Sequence, residues 1–199
     1  MPENNIQNEL SFVMIRPQVI EYDLFDKVME MLYHCAKENN LTIRYLGSAT
    51  LDDKFVNEHY AQHIDKDFFG EIKEINTDGD SYGFIIEGHK AIDIIRYLVG
   101  PTKVTENKEI YETTGRETIR SLFPTKKLEG AFLANNLIHA STYAEDINEI
   151  PDIEAYAEFT RFHDLLIKKH QNPVYHESVK ILDEVFTKRY ASSSKKSKH

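Results

Sequence analysis

A single cysteine, Cys35, leaves no partner for an intramolecular disulfide and fits a reducing compartment. It falls within an apolar helical pattern and reads as a core residue. No apolar stretch approaches the ~20 residues of a membrane-spanning helix. The polar N-terminus does not read as a secretory signal. A cytoplasmic location without a membrane partner is therefore expected. Basic side chains are also in deficit. Lys and Arg number 24 against 33 Asp and Glu, a formal net charge of −9. That balance argues against a general nucleic-acid surface, because phosphate backbones need a basic stripe. The expected strands also lack the aromatic-rich pattern of RNA-binding sheets. A local basic pocket inside an acidic chain is still compatible with these numbers, and Arg16, Arg96 and Arg120 are its candidates.

What is present is enough apolar material, 41% of 199 residues, for one compact domain with an appendage. Residues 10–15 are rich in β-formers and stop at Arg16-Pro17, which predicts a buried strand. Phe25, Met29, Leu32 and Ala36 recur at helical spacing and predict an amphipathic helix over 22–38, ended by Asn39-Asn40. A second strand is expected over 41–51, with an irregularity at Gly47, then short helices over 52–64 and 67–75. The turn Asp78-Gly79-Asp80 leads to a third strand over 81–87, and a helix over 91–99 stops at Gly100-Pro101. Residues 103–115 are polar and aperiodic and read as a long loop, 116–123 as a short helix, and 133–139 as the fourth strand. This order predicts an α+β, ferredoxin-like (split βαβ) four-stranded antiparallel sheet with helices on one face.

Two further apolar stripes, 153–166 and 179–190, predict a helical C-terminal extension, the second helix starting at Asn172-Pro173. Each stripe must bury against the core or another subunit. The expected division is a flexible N-terminus (1–8), a main domain (9–151), a helical extension (152–190) and a disordered basic tail (191–199).

The chain reads as organised around residues 135–142. His139 ends the fourth predicted strand beside Ser141 and Thr142, and a helical pattern carrying Glu145, Asp146 and Glu149 follows. A strand end is rigid, and the N–H groups of a helix start favour anions. A histidine there also serves, more plainly, to satisfy a polar group. Asn-x-x-His-Ala-Ser followed by Glu-x-x-x-Glu-Ile resembles the active-site signature of the nucleoside diphosphate kinases. Five further motifs fall in the family's order: 9–17 (ELSFVMIRP), His59-Tyr60 with Asp67-Phe68-Phe69, Ile86-Glu87-Gly88, Arg96 with Gly100-Pro101-Thr102, and Thr118-Ile119-Arg120. The resemblance runs from about residue 9 to residue 150 and leaves the rest of the C-terminal region outside it.

That resemblance implies transfer of the terminal phosphate of a nucleoside triphosphate to a nucleoside diphosphate, in two steps, through a phosphohistidine at His139. It implies that Glu149 fixes the tautomer of His139, with Ser141 in support. Helix capping accounts for Ser141 or Thr142 equally well. It places Tyr60 near the transferred group, Arg16, Arg96, Arg120 and Thr102 on the phosphates, Phe69 and Ile72 against the base, and Asn136 on the ribose. Core packing is the competing account of Phe69 and Ile72. Mg²⁺ is implied as a companion of the nucleotide, held by phosphates and water. No protein metal ligands are expected. His59 and His63, four residues apart, lack the glutamate of a metalloprotease motif. The partners implied are nucleotides and further copies of the chain.

The sequence also departs from the family. Arg16 stands where the family has lysine, and Gln18-Val19 replaces the usual Asp-Gly. Ala140 replaces the commoner glycine and Thr142 the usual aspartate. The segment between Thr102 and Arg120 is several residues longer, in a region where family members meet around a three-fold axis. Arginine is longer and planar, so the change at residue 16 is not conservative at a tight site. It supports an alternative, a nucleotide-binding or scaffold homologue with weak or no kinase activity.

Overall fold

The computed structural model describes residues 8–122, 137–143 and 152–170. In chain order the elements are β1 (Asn8–Ile15), α1 (Gln18–Glu21), α2 (Phe25–Glu38), β2 (Thr42–Thr50), α3 (Asp53–His59), α4 (Phe69–Thr77), β3 (Asp80–His89), α5 (Ala91–Val99), α6 (Val104–Thr114), β4 (Ile138–Ala140) and α7 (Ile153–His170). Two 3₁₀ turns, Ala61–His63 and Ile119–Leu122, link them. The sheet runs β2-β3-β1-β4, with every neighbouring pair antiparallel, which is the expected ferredoxin-like arrangement. Gly47 is where the β2–β3 register slips, at φ 142°, a conformation open to glycine.

One face of the sheet meets α2 and α5. Val28, Leu32, Ala36, Ile95 and Val99 pack there with Val13, Ile15, Phe84, Ile86 and Ile138. The expectation of helices on one face only is corrected by the other side. Phe12, Met14 and Ile85 are equally buried. Phe162 of α7 lies 5.6 Å from the Phe12 ring and 6.1 Å from that of Phe55 on α3. A side chain at Gly83 would run into Phe162, so β3 is a glycine where α7 lies on it. Strand β1 is thus covered on both faces, which explains its unbroken apolar run.

A second correction concerns residues 103–115. They form α6, not a loop. Its polarity hid it, since the helix is largely exposed; among its residues of described burial Asn107 alone is buried, and its amide donates to the carbonyls of Pro101 and Lys103. Gly115 closes α6 in the left-handed region at φ 70°. The chain divides into two compact units, Met1–Leu165 and Leu166–His199, so most of α7 belongs with the sheet. Asp152, just before α7, accepts the Leu10 N–H at 2.8 Å. The expected strand residues 133–136, the stripe over 179–190 and the tail over 191–199 lie outside the described residues.

Candidate active site

His139 is the middle residue of β4 and pairs with Met14 of β1. Its neighbours Ile138 and Ala140 belong to the core under α2 and α5. Strand alternation therefore turns His139 to the face covered by α3 and α7. There its Nε2 lies 2.8 Å from Oε1 of Glu158 on α7. The second carboxylate oxygen of Glu158 accepts the hydroxyl of Ser141. Ser141 Oγ in turn accepts the Phe12 N–H at 3.0 Å, and the Ser141 N–H donates to the Phe12 carbonyl. The histidine, the serine and the acid are thus tied to the central strand.

Burial pushes the Glu158 carboxyl up, but His139, through charge and hydrogen bond, with His59 and Ser141, holds it down to about 2. Glu158 is therefore an ionised acceptor near neutral pH, and Nε2 must carry the proton between them. Among the described residues nothing hydrogen-bonds Nδ1, so its lone pair is available. The family resemblance gave this contact to Glu149. Glu149 lies outside the described residues; among the described residues the acid that meets Nε2 is Glu158, beyond the expected end of the domain at 151.

The expected cations converge beside this group. Arg120 donates to the carbonyls of Gly100 at 2.8 Å and of Ile138, next to His139, at 3.0 Å. Burial, then the charges of Arg16 and Arg96, push its guanidinium down to about 9. Arg120 thus feels two like charges, and an anion entering beside it is stabilised. Arg16, 5% exposed, donates from Nη2 to the Tyr60 hydroxyl at 2.7 Å, and that hydroxyl faces the Asn76 side-chain oxygen. Burial raises the Tyr60 phenol above its usual value, which keeps it protonated. Arg16 and Tyr60 thus form one buried unit. Arg96 is exposed on α5.

Thr102 is exposed, two residues beyond the Gly100 carbonyl that Arg120 holds. Phe69, half-buried, opens α4, and Ile72 is buried one turn later. None of these three enters the hydrogen bonds and ring contacts around His139 given above. Asn136 lies outside the described residues. The cavity of ≈ 710 Å³ lined by Met31, His34, Cys35, Ile94, Tyr97 and Leu98 lies on α2 and α5, on the other side of the sheet from His139.

Sequence reasoning missed Glu158. The available signal was a charged residue next to Phe159 on an apolar helical stripe, since a buried acid is almost always paired. It also gave His59 no role. That ring stands 4.5 Å from His139, near-perpendicular to it.

The family model described as "Nucleoside diphosphate kinase" matches residues 9–153. The chain belongs to the nucleoside diphosphate kinase family. The nucleoside diphosphate kinase of Mycobacterium tuberculosis (strain H37Ra) is 33% identical over 137 residues, 69% of this chain and 89% of that protein. That of Natronomonas pharaonis is 30% identical over 133 residues, 67% of this chain and 76% of that protein. The solved nucleoside diphosphate kinase of Halobacterium salinarum, in complex with CDP, aligns at TM-score 0.55 and 25% identity, over 77% of this chain and 88% of that one. The Aquifex aeolicus nucleoside diphosphate kinase aligns at TM-score 0.59 and 22% identity, over 78% and 95%, a likeness of fold. As a member of the family the chain is a phosphotransferase that moves the terminal phosphate of a nucleoside triphosphate to a nucleoside diphosphate. The matched segment ends five residues short of Glu158.

Proposed function

We propose that His139 carries the phosphate and that Glu158 and Ser141 hold it in the reactive tautomer. The observation that carries this reading is the Glu158 carboxylate, which bridges His139 Nε2 and the Ser141 hydroxyl. The Nδ1 lone pair attacks the terminal phosphorus. A P–N bond forms, the bond to the bridging oxygen breaks, and the departing diphosphate keeps the electron pair. The ring gains positive charge, which the ionised Glu158 stabilises from the other nitrogen. A second diphosphate then attacks the phosphohistidine, and the steps reverse.

Arg16, Arg96 and Arg120 grip the phosphates, with Thr102 adding a hydroxyl. Guanidinium forks suit phosphate oxygens and stay charged near neutral pH. Tyr60 positions Arg16. Phe69 and Ile72 receive the base, whose π-face serves any nucleotide, and Asn136 bonds the ribose. The donors around His139 are imidazoles and a carboxylate, not an oxygen cage, so Mg²⁺ fits this site as a companion of the nucleotide phosphates, where it supplies charge neutralisation. A cytoplasmic homo-oligomer is the setting that family membership supports. The reading as a binding or scaffold homologue rests on Arg16 alone, and the intact His139, Glu158 and Ser141 group weighs against it.

Incubation with γ-labelled ATP should label His139 in acid-labile form, and any nucleoside diphosphate should remove the label. His139→Ala should abolish both labelling and turnover while the protein stays folded. Turnover surviving in that variant would overturn the assignment.

A further inference from the structure

Phosphoryl transfer uses His139 and Glu158 but leaves their neighbour His59 without a task. His59 ends α3, is 7% exposed, and neither ring nitrogen has a hydrogen-bond partner among the described residues. A buried polar group left in that state is costly unless a partner completes it. Yet the ring is packed against His139, 4.5 Å away between centroids. One potential ligand atom from each of His59, His139 and Glu158 lies within 4.8 Å of the other two. We propose that these three side chains form a site for a borderline first-row divalent cation, represented by Zn²⁺, and that the bound cation switches the phosphate carrier off.

The donor set decides the class of cation. Two imidazole nitrogens and one carboxylate oxygen suit Zn²⁺ and its neighbours in the series, whereas Mg²⁺ demands oxygen ligands in a near-ideal octahedron. Three protein ligands with a fourth position open is also the arrangement of zinc sites that exchange ligands. Metal–ligand bonds of ~2.0–2.2 Å require the three donors to draw around a common centre. The 2.8 Å contact between His139 and Glu158 would open slightly and His59 would close on them. His139 is 20% exposed, which gives the ion a way in.

The switch follows from the proton count on one ring, and it rests on the carrier role proposed for His139. In the metal-free protein Nε2 bears the proton and Nδ1 the reactive lone pair. A cation on Nε2 takes that nitrogen's lone pair, and the Nε2 proton is lost. The neutral ring then carries its one proton on Nδ1, acquired from solvent. No lone pair is left at Nδ1, so no P–N bond forms.

The test uses the full chain without nucleotide, titrated with ZnCl₂ against a zinc indicator in millimolar Mg²⁺, with histidine tautomers read by ¹H–¹⁵N NMR. One Zn²⁺ per chain should bind, and the His139 proton should move from Nε2 to Nδ1. His59→Gln should weaken binding at least about tenfold, since losing even a group that only hydrogen-bonds a metal ligand costs ~10–100-fold. His59→Cys should restore it, because a thiolate is a zinc ligand. A His139 proton that stays on Nε2 with Zn²⁺ bound would overturn the proposal, and so would unchanged affinity in His59→Gln. Binding lost in Cys35→Ser, or displaced by Mg²⁺, would overturn it as well. Failure of the metal-free protein to form phosphohistidine would instead overturn the carrier reading and leave the metal site standing.

Discussion

Glu158 and Glu149 can be told apart by one conservative change each. Glu158→Gln keeps the shape of the side chain but removes the charge that holds the proton on Nε2 of His139. A wrong tautomer or lost proton partner costs roughly 10²–10⁴-fold in comparable triads. Rapid-quench labelling of His139 should show a loss of that order for Glu158→Gln and a smaller one for Glu149→Gln. The reverse order would return the role to Glu149. Arg16 offers a second test at this scale. Its Nη2 is spent on the Tyr60 hydroxyl at 2.7 Å, inside a buried pair. A lysine ends in one nitrogen and cannot hold both that hydroxyl and an incoming phosphate with a planar fork. Arg16→Lys should slow transfer, and the melting temperature should fall with the loss of a charged hydrogen bond worth about 1.5–3 kcal/mol. A faster enzyme would show that the arginine is a poor fit and would revive the scaffold reading.

Among the elements, α7 links stability to chemistry. Phe162 is fully buried against Phe12 and Phe55 and fills the space above Gly83. Glu158 lies one turn earlier on the same helix. Phe162→Ala should cost about 3–5 kcal/mol in denaturant unfolding and should slow His139 labelling in the protein that stays folded, because the helix no longer holds Glu158 in place. Destabilisation with an unchanged labelling rate would mean that Glu158 is held by its own hydrogen bonds. The same helix shows what the sequence left unread. A stripe of Ile153, Tyr156, Phe159 and Phe162 announces a helix that must bury a face, but periodicity does not name the surface it meets. That surface is the second face of the sheet, and its clue, the run of buried residues in β1, lies some 140 positions away. Helix α6 failed for the opposite reason. It buries almost nothing, so it has no apolar period to read.

Across the whole molecule, the sheet and α5 were legible because strands bounded by turns and a helix stopped by glycine are local signals. The site was legible in part. His139, Ser141 and the three arginines stand in motifs, and so does His59, but its place beside His139 and the presence of Glu158 follow only from the packing of α3 and α7. Charge adds a property of the whole. The chain carries a formal −9, yet its site gathers Arg16, Arg96 and Arg120. A nucleotide is repelled at long range and attracted at contact. Salt screens exposed charges beyond ~8–10 Å but reaches a partly buried cluster much less. Raising NaCl from low to physiological strength should therefore hold or raise kcat/KM for ATP, as the repulsive outer field is removed first. The measurement is steady-state transfer from ATP to a fixed diphosphate across that salt range, with the nucleotide-bound cation kept saturating. A steep fall in kcat/KM would mean that the arginine cluster dominates the field even at a distance and that the acidic surface lies away from the approach to His139.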